Sequence, residues 1–268
     1  MKVFVSADIE GVCGATAWDE ARKESPTYRE FQRQMNREVV AACEGAIAAG
    51  ATDIVVKDAH GDGRNLTAGE LPRPVRLLRA YDGHPFAMVQ GLDPSFDAVA
   101  MVGFHSGAGS GGNPLAHTLS SRKLHQVRLD GEQASEFRIH LYAAASIGVP
   151  VAMVTGDQAL CDEVDTLGLG ITTVAVKEGR GASTLSLHPD DAVDAVRAAA
   201  ESALAGSRSG AVPAGAGPTR LEVVFKDHAA AYARGHYPGA EQIDAHTVAF
   251  AHDDYFEILR ALLFLVSL

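Results

Sequence analysis

The chain is poor in cysteine, and its cysteines are not arranged in pairs. Only three are present in 268 residues, Cys13, Cys43 and Cys161, and none belongs to a CxxC motif. An odd number of widely spaced cysteines does not make a disulfide framework, which favours a reducing compartment. The N-terminal sequence MKVFVSADIEG also lacks the long apolar stretch of a signal peptide. The sequence therefore predicts a cytoplasmic protein.

Long apolar runs and clusters of basic residues are equally scarce. No segment reaches the roughly 18 uninterrupted apolar residues that a transmembrane helix requires, so we expect no membrane partner. Acidic residues outnumber basic ones by 34 to 23, which gives a net charge of −11. Because an acidic surface repels phosphate backbones, we expect no nucleic-acid partner either. The hydrophobic fraction of 47% is that of an ordinary globular protein.

Short apolar runs alternate with helical patterns along most of the chain. The apolar runs predict strands at 3–7, 53–57, 98–102, 149–155, 171–176, 221–226 and 247–251, and an alternating segment that ends at the Asp130-Gly131 turn predicts another at 124–129. Apolar residues at helical spacing predict helices at 28–46, 133–147 and 189–204, with further helices starting near 156 and 254. Such alternation predicts an α/β fold with a mostly parallel sheet and helices on both faces, a three-layer α/β/α arrangement, together with a smaller α+β portion.

One segment interrupts this alternation. Residues 206–218 (GSRSGAVPAGAGP) are rich in glycine, proline, serine and alanine, which is typical of a linker or an exposed connection. It divides the chain into a main catalytic portion, 1–205, and a C-terminal α+β portion, 219–268. The connection either separates two domains or joins two elements of a single one.

Polar side chains gather where three of the predicted strands end. Asp8 and Glu10 follow the first strand, Asp58 and His60 the second, and His105 the third, and each group is followed by a glycine. In an open parallel sheet, ligands bind at the carboxyl ends of the strands. Two neighbouring carboxylates repel each other unless a cation or a proton lies between them.

Oxygen and imidazole ligands together suit zinc, and also manganese or cobalt. Asp58 is expected to orient the imidazole of His60, as carboxylates near metal-binding histidines do. Each group alone has an ordinary explanation, because Asp-x-Glu often caps a helix and single histidines often bond within the core. Their occurrence at three successive strand ends favours a metal site.

Eight motifs extend this pattern over nearly the whole chain. They are SADIEGVCG (6–14), VVKDAHGDGRN (55–65), PFAMVQGLD (85–93), MVGFHSGAG (101–109), LAHTLSS (115–121), SEFRIHLYAA (135–144), GVPVAMVTGDQ (148–158) and TTVAVKEGRGAS (172–183). Through these motifs, in this order and spacing, the chain resembles the zinc-dependent D-aminopeptidases of the DppA type. The resemblance implies a metallopeptidase that removes N-terminal residues, D-amino acids in particular, from short peptides.

The resemblance also implies two zinc ions per chain. One would be held by Asp8, Glu10 and His60, and the other by His105 and Glu136 with Asp8 as a bridge. His117 matches the family's catalytic histidine, acting either as an oxyanion stabiliser or as a proton shuttle. Peptide hydrolysis would then use a metal-activated water.

Two further residues are candidates for substrate binding. His140 stands where the family often has asparagine, one helical turn after Glu136, so it either faces the site or bonds within the helix packing. Arg180 either binds a substrate carboxylate through its fork of donors or lies on the surface.

Two other functions remain open from the residues alone. The same metal site would serve an amidase or a phosphoesterase, and a chain of this kind could also be a non-enzymatic peptide-binding component of a transport system. The expected absence of a signal peptide argues against the latter, as does His117, which a binding protein has no use for. The resemblance further implies a homo-oligomer, such as the decameric ring of the family, that encloses its active sites.

Overall fold

Two β-sheets form the framework of the protein in its computed structural model, which describes residues 1–205, 212 and 217–267. The larger sheet has seven strands, with only the last pair antiparallel. In spatial order they are β3 (Val75–Leu78), β2 (Asp53–Asp58), β1 (Lys2–Ala7), β4 (Ala98–Phe104), β7 (Val151–Asp157), β8 (Thr172–Arg180) and β9 (Ser183–Ser186). The central strands β1, β4 and β7 are almost wholly buried, as expected for a parallel sheet that is covered on both sides.

Helices cover both faces of this sheet. On one face, α1 (Tyr28–Ala48) and α4 (Pro189–Ala205) pack against each other and against β1, β4 and β7. The other face carries α2 (Glu136–Ser146) and α3 (Gln158–Thr166), and α6 (Tyr255–Ser267) packs on α2. Alternate residues of β1 enter the two cores, with Val3 on the side of α1 and Phe4 on the side of α2. The predicted α/β class, with a mostly parallel sheet between two layers of helices, is confirmed.

The second sheet is antiparallel and has five strands. In spatial order they are β11 (Ala240–Gln242), β12 (Thr247–Ala251), β10 (Arg220–Phe225), β5 (Leu124–Leu129) and β6 (Glu132–Gln133), with α5 (His228–Arg234) alongside. Strand β5, from the first half of the chain, therefore pairs with β10, which lies near the end of the chain. Residues 124–133 and the predicted C-terminal α+β portion thus share one sheet.

Short 3₁₀ turns at Trp18–Glu20, Ala68–Glu70 and Ala87–Val89 complete the described secondary structure. The predicted connection at 206–218 lies outside the described residues except for positions 212, 217 and 218, so the division of the chain there stays a prediction. Within the described ranges, no helix is both long and apolar enough to cross a membrane.

The strands that carry the predicted site are neighbours and end together. Ala7 at the end of β1 pairs with Asp58 of β2 on one side and with Val102 of β4 on the other. The chain that follows β1 stays beside β4, because the Gly11 amide donates to the Gly103 carbonyl at 2.8 Å. A Cβ on Gly11 would lie 1.7 Å from the Phe104 carbonyl oxygen, so only glycine permits this approach. The loop after β1 is thereby held against the loop after β4.

Candidate metal centre

A first group of metal-binding side chains comes from the ends of β1 and β2. His60 Nδ1 lies 3.2 Å from Asp8 Oδ1 and 2.8 Å from Glu10 Oε2. The other ring nitrogen, Nε2, lies 2.7 Å from the Ala21 carbonyl, which can only accept, so Nε2 carries a proton and Nδ1 is the nitrogen that can offer a lone pair to a metal ion. Three electron-pair donors, from Asp8, Glu10 and His60, therefore face one another within ligand distance of a single ion.

A second group shares Asp8. His105 Nε2 lies 3.5 Å from Asp8 Oδ2 and 3.7 Å from Glu136 Oε2. Its Nδ1 donates to the Ser106 carbonyl at 3.0 Å, which again leaves the facing nitrogen with a lone pair. The two carboxylate oxygens of Asp8 thus turn to different groups, Oδ1 to His60 and Oδ2 to His105. This is the geometry of a bridging carboxylate.

The charges of the site call for a cation. Asp8, Glu10 and Glu136 are all buried, with 2–4% of their surface exposed. Burial and the charge of Glu10 raise the pKa of Asp8 to about 7. Burial would lower the pKa of His60, but Glu10 and Asp8 raise it well above its usual value. Without a metal ion, the buried negative charges therefore favour protonation of Asp8 and His60. A bound metal ion would supply the positive charge instead.

Two buried atoms of the site have no hydrogen-bond partner among the described residues other than the candidate ligands themselves. They are Glu10 Oε2 and His105 Nε2, and both point into the cluster. An unpaired buried polar atom costs about 1–3 kcal/mol, which coordination to a metal would remove. The donor set of oxygens and imidazole nitrogens fits zinc. The five predicted ligands are thus brought together, and they are able to hold such an ion.

His117 lies beside the second group. It belongs to the loop that follows β4, and its ring stacks on His105 with centroids 4.4 Å apart and planes 11° apart. Its Nδ1 donates to the Leu115 carbonyl at 2.8 Å, and its Nε2 lies 3.7 Å from Glu136 Oε1. Burial and the neighbouring His105 lower its pKa, so the imidazole is neutral at neutral pH. Its free Nε2 can accept a proton, and by position it can also coordinate a metal together with His105 and Glu136.

A buried polar network behind the ligands joins the two loops that carry them. The Asn113 amide donates to the Glu10 carbonyl at 3.2 Å and to Asp157 Oδ2 at 2.9 Å. Asp157 Oδ2 also accepts the Ser106 amide at 2.8 Å, next to His105. Lys177 is buried, and its ammonium donates to the Glu10 carbonyl as well.

Sequence reasoning missed this network. Two signals were available in the sequence. Lys177 directly follows the predicted strand at 171–176, and Asp157 ends the neighbouring strand β7. Burial lowers the pKa of Lys177 to about 8, and the nearby carboxylates, Asp157 first among them, oppose that shift. A buried cation of this kind is kept only where carbonyls and carboxylates satisfy it.

The predicted role of Asp58 is wrong. Its carboxylate does not contact the His60 ring; instead it accepts hydrogen bonds from the backbone amides of Asn65 and Leu66 and from the Asn65 side chain. Asn65 in turn donates to the His60 carbonyl at 2.7 Å. The group that orients the His60 ring is the Ala21 carbonyl. Asp58 therefore shapes the loop that carries His60.

The two predicted substrate-binding residues do not line the site cavity. His140 is 1% exposed; its Nδ1 donates to the Glu136 carbonyl at 2.6 Å and its Nε2 accepts the Met88 amide at 3.3 Å. Both ring nitrogens are thus engaged with backbone, so of the two alternatives His140 bonds within the packing and does not face the substrate. Arg180 is exposed at the end of β8 and pairs with Glu178, so it is a surface residue.

The ligand groups open into a cavity of about 800 Å³. Its walls come from the loops after β1, β2 and β4, from the turn that contains Trp18, and from the last turns of α6. Aromatic and basic side chains stand around the acidic centre, among them Trp18, Arg22, Tyr81 and Arg122. The cavity is large enough for a small peptide and far too small for a folded protein.

Comparisons with known proteins find similarity to D-aminopeptidases. A family model described as D-aminopeptidase, of peptidase group M55, matches residues 1–264. A D-aminopeptidase of Bacillus subtilis (strain 168) is 30% identical over 181 residues, which cover 66% of this chain and 64% of that protein, so the match spans less than two thirds of the relative. The solved structure of a Zn-dependent D-aminopeptidase, DppA from Bacillus subtilis, described as a self-compartmentalizing protease, matches with a TM-score of 0.90 at 25% identity, over 100% of this chain and 97% of that one.

Proposed function

Because the chain belongs to the D-aminopeptidase family, we propose that it is a zinc-dependent aminopeptidase that acts on short peptides with an N-terminal D-residue. The observation that carries this proposal is the arrangement around Asp8, whose two oxygens face two separate groups of buried ligands. Among the described residues, neither Glu10 Oε2 nor His105 Nε2 has a hydrogen-bond partner outside these two groups, which supports a role for both atoms in holding metal.

The proposed site holds two zinc ions. Asp8, Glu10 and His60 would bind one, and Asp8, His105 and Glu136 the other. Two divalent ions against three carboxylates leave a net charge of +1, which suits a site that must stabilise developing negative charge on a peptide carbonyl. Metal bound here would lower the pKa of a water molecule to roughly 7 and polarise the scissile carbonyl.

His117 is the proposed catalytic residue. Its Nδ1 is committed to the Leu115 carbonyl, so the neutral ring offers a lone pair at Nε2 and no proton there. This favours proton transfer over oxyanion stabilisation, because a neutral ring in this tautomer cannot donate from Nε2. His117 would take a proton from the attacking water and return it to the leaving amine.

Assembly and location are proposals as well. The structural relative is described as self-compartmentalizing, which supports a homo-oligomer for this chain, and we propose a closed ring such as a decamer. Sedimentation of the purified protein would measure its size. A cytoplasmic location stays a prediction from the cysteine content.

Matched peptides test the proposed activity. Zinc-loaded protein should cleave D-Ala-D-Ala and leave L-Ala-L-Ala largely uncut. N-acetylation of the substrate removes the charged amine, and the loss of one charged hydrogen bond should lower kcat/KM by about 10- to 100-fold. If acetylated peptides were cut as fast as free ones, the enzyme would be an amidase. If only phosphoesters were cut, it would be a phosphoesterase.

A further inference from the structure

A second, smaller cavity adjoins the metal centre. It measures about 340 Å³ and meets the main cavity around His117. The residues that line both cavities are Trp18, Arg22, His117, Ser121 and Arg122. The proposed catalytic histidine therefore stands at the boundary of two spaces, one of which contains the metal ligands.

A series of stacked groups leads from the metal ligands to the boundary. His105 stacks on His117 at 4.4 Å, and Trp18 meets His117 edge to face at 5.2 Å. The Arg22 guanidinium lies over the Trp18 ring, 5.6 Å from its centroid. A cation within about 6 Å of an indole face is attracted to it. Trp18 thus places the positive charge of Arg22 one ring beyond His117.

The smaller cavity is basic, although the chain as a whole is acidic. Its charged lining residues are Arg22, Arg122 and Lys226, with His125 beside them, and no carboxylate of the described part of the chain lines it. Lys226 is partly occupied by a hydrogen bond to the Ser121 carbonyl at 2.7 Å. The two arginines form the charged edge that the smaller cavity shares with the main one.

Carboxylates in the main cavity do not neutralise this edge completely. Besides the metal ligands, the acidic residues that line the main cavity are Asp62 and Glu24. Asp62 pairs with Lys23 and Arg64, which leaves Glu24 as the remaining acid on that side. The site therefore has a strongly negative end, at the metal ligands, and a positive edge beyond His117.

A dipeptide has the matching distribution of charge. Its carboxylate is separated from the leaving nitrogen by a single Cα, so it must lie close to the group that protonates that nitrogen. We propose that Arg22 and Arg122 bind the C-terminal α-carboxylate of a dipeptide substrate, and that they make the enzyme select dipeptides that have a free C-terminus. This inference rests on the proposed function, because it takes His117 as the residue next to the leaving amine. Arginine suits the task, since its planar fork can bind a carboxylate through two hydrogen bonds.

Two peptides that differ only at the C-terminus test the proposal. Wild-type enzyme should cleave D-Ala-D-Ala with a kcat/KM about 10-fold or more above that of its C-terminal amide, the usual scale for one charged hydrogen bond. In Arg22→Ala, Arg122→Ala and the double variant, this acid-to-amide ratio should fall toward one. Zinc content should stay at the wild-type level, which separates loss of the subsite from damage to the metal centre.

Arg76→Ala is the matched control. Arg76 is an exposed arginine on β3 that pairs with Asp53 and lines neither cavity, so its removal makes the same change in net charge elsewhere. It should keep the wild-type acid-to-amide ratio. A third peptide, the C-terminal amide of D-Ala-D-Glu, carries its carboxylate on the side chain and should be cleaved as slowly as the simple amide.

Several results would overturn the proposal. One is equal cleavage of acid and amide by the wild type; another is an equal loss of both rates in the arginine variants. Full activity on the D-Ala-D-Glu amide would place the carboxylate farther from the scissile bond. If the wild type cleaved neither peptide, the proposed function would fail, and calorimetric titration of the zinc-loaded protein with the same acid and amide would decide this inference. Tighter binding of the acid that the double variant loses would support it, and equal binding would refute it.

Discussion

Replacing His117 by alanine separates the two roles that its position allows. The side chain lies 3.7 Å from Glu136 and stacks on His105, so it stands beside the proposed metal site without being among its five proposed ligands. If it transfers protons, His117→Ala should keep its zinc and lose about 10²-fold or more in kcat, the usual contribution of a positioned acid or base. That loss corresponds to about 2.7 kcal/mol of transition-state stabilisation. The fold should persist, because the substitution removes one hydrogen bond, worth about 1 kcal/mol.

The pH dependence of activity tests the role of His117 independently. A proton acceptor works only as the neutral ring, so activity should rise as the pH increases through the pKa of His117. Burial and His105 lower that pKa, and bound zinc would lower it further, so the acidic limb should lie below about pH 6.5, the usual value for histidine. In the alanine variant this limb should disappear. Zinc analysis and steady-state kinetics over about pH 4.5–9 measure both effects. An alanine variant that had lost its metal would make His117 a ligand and refute the assignment.

Three other perturbations test the metal centre. Chelation should abolish activity and added zinc or cobalt should restore it; activity that survives verified metal removal would contradict a metallopeptidase. Asp8→Ala should lose both ions, because one carboxylate serves two groups, whereas Glu10→Ala should chiefly weaken one; equal zinc content in the two variants would count against a bridging Asp8. Asn113→Ala should lower metal affinity by about 10- to 100-fold, the usual effect of a residue that supports the ligands. Asn36→Ala is its control, since Asn36 is also buried and bonds to the Thr67 amide and the Gln32 carbonyl, neither of which belongs to a proposed ligand; similar zinc titrations for both variants would show that Asn113 acts only on stability.

The buried part of the fold was open to prediction because its pattern is local. Strands β1, β4 and β7 are continuous apolar runs, and α1 shows apolar residues at helical spacing over 21 residues. The missed strands lie at edges or are very short. Strand β3 has a burial pattern with no fully buried residue, and β9, the opposite edge of the sheet, alternates between exposed and half-buried positions. Such segments gain their structure from backbone pairing with a neighbour, which leaves little trace in the residue types.

The second sheet shows the limit of periodicity more clearly. The alternation in β5 predicts a strand with one buried face, and the structure agrees. It does not predict the partner, because Val127 of β5 pairs with Val223 of β10, far along the chain. Strand β5 therefore belongs to the antiparallel sheet, although it follows β4 of the parallel sheet along the chain. A period of two fixes which face is buried, whereas the choice of partner depends on packing between distant segments.

The proposed ligands divide in the same way. Asp8, Glu10, His60 and His105 could be predicted because parallel neighbours end together, so side chains just past each strand must meet. Glu136 could not, since it begins a helix after the second sheet has intervened, and only the family resemblance pointed to it. The structure supplies the reason for its position: Ser135 caps α2, and the Leu119 amide donates to Glu136 Oε1 at 2.6 Å, which fixes that carboxylate beside His117.

The orientation of the histidines lies beyond sequence for a more general reason. In each of His60, His105 and His117, one ring nitrogen bonds to a backbone carbonyl, from Ala21, Ser106 and Leu115 respectively, and this leaves the other nitrogen free to face the site. A carbonyl is common to every residue type, so no sequence pattern marks it. Asp58, two residues before His60, suggested a carboxylate partner for the ring, but β2 ends at Asp58 and the chain bends at His60. The tautomers that make this site able to bind metal are therefore set by the fold.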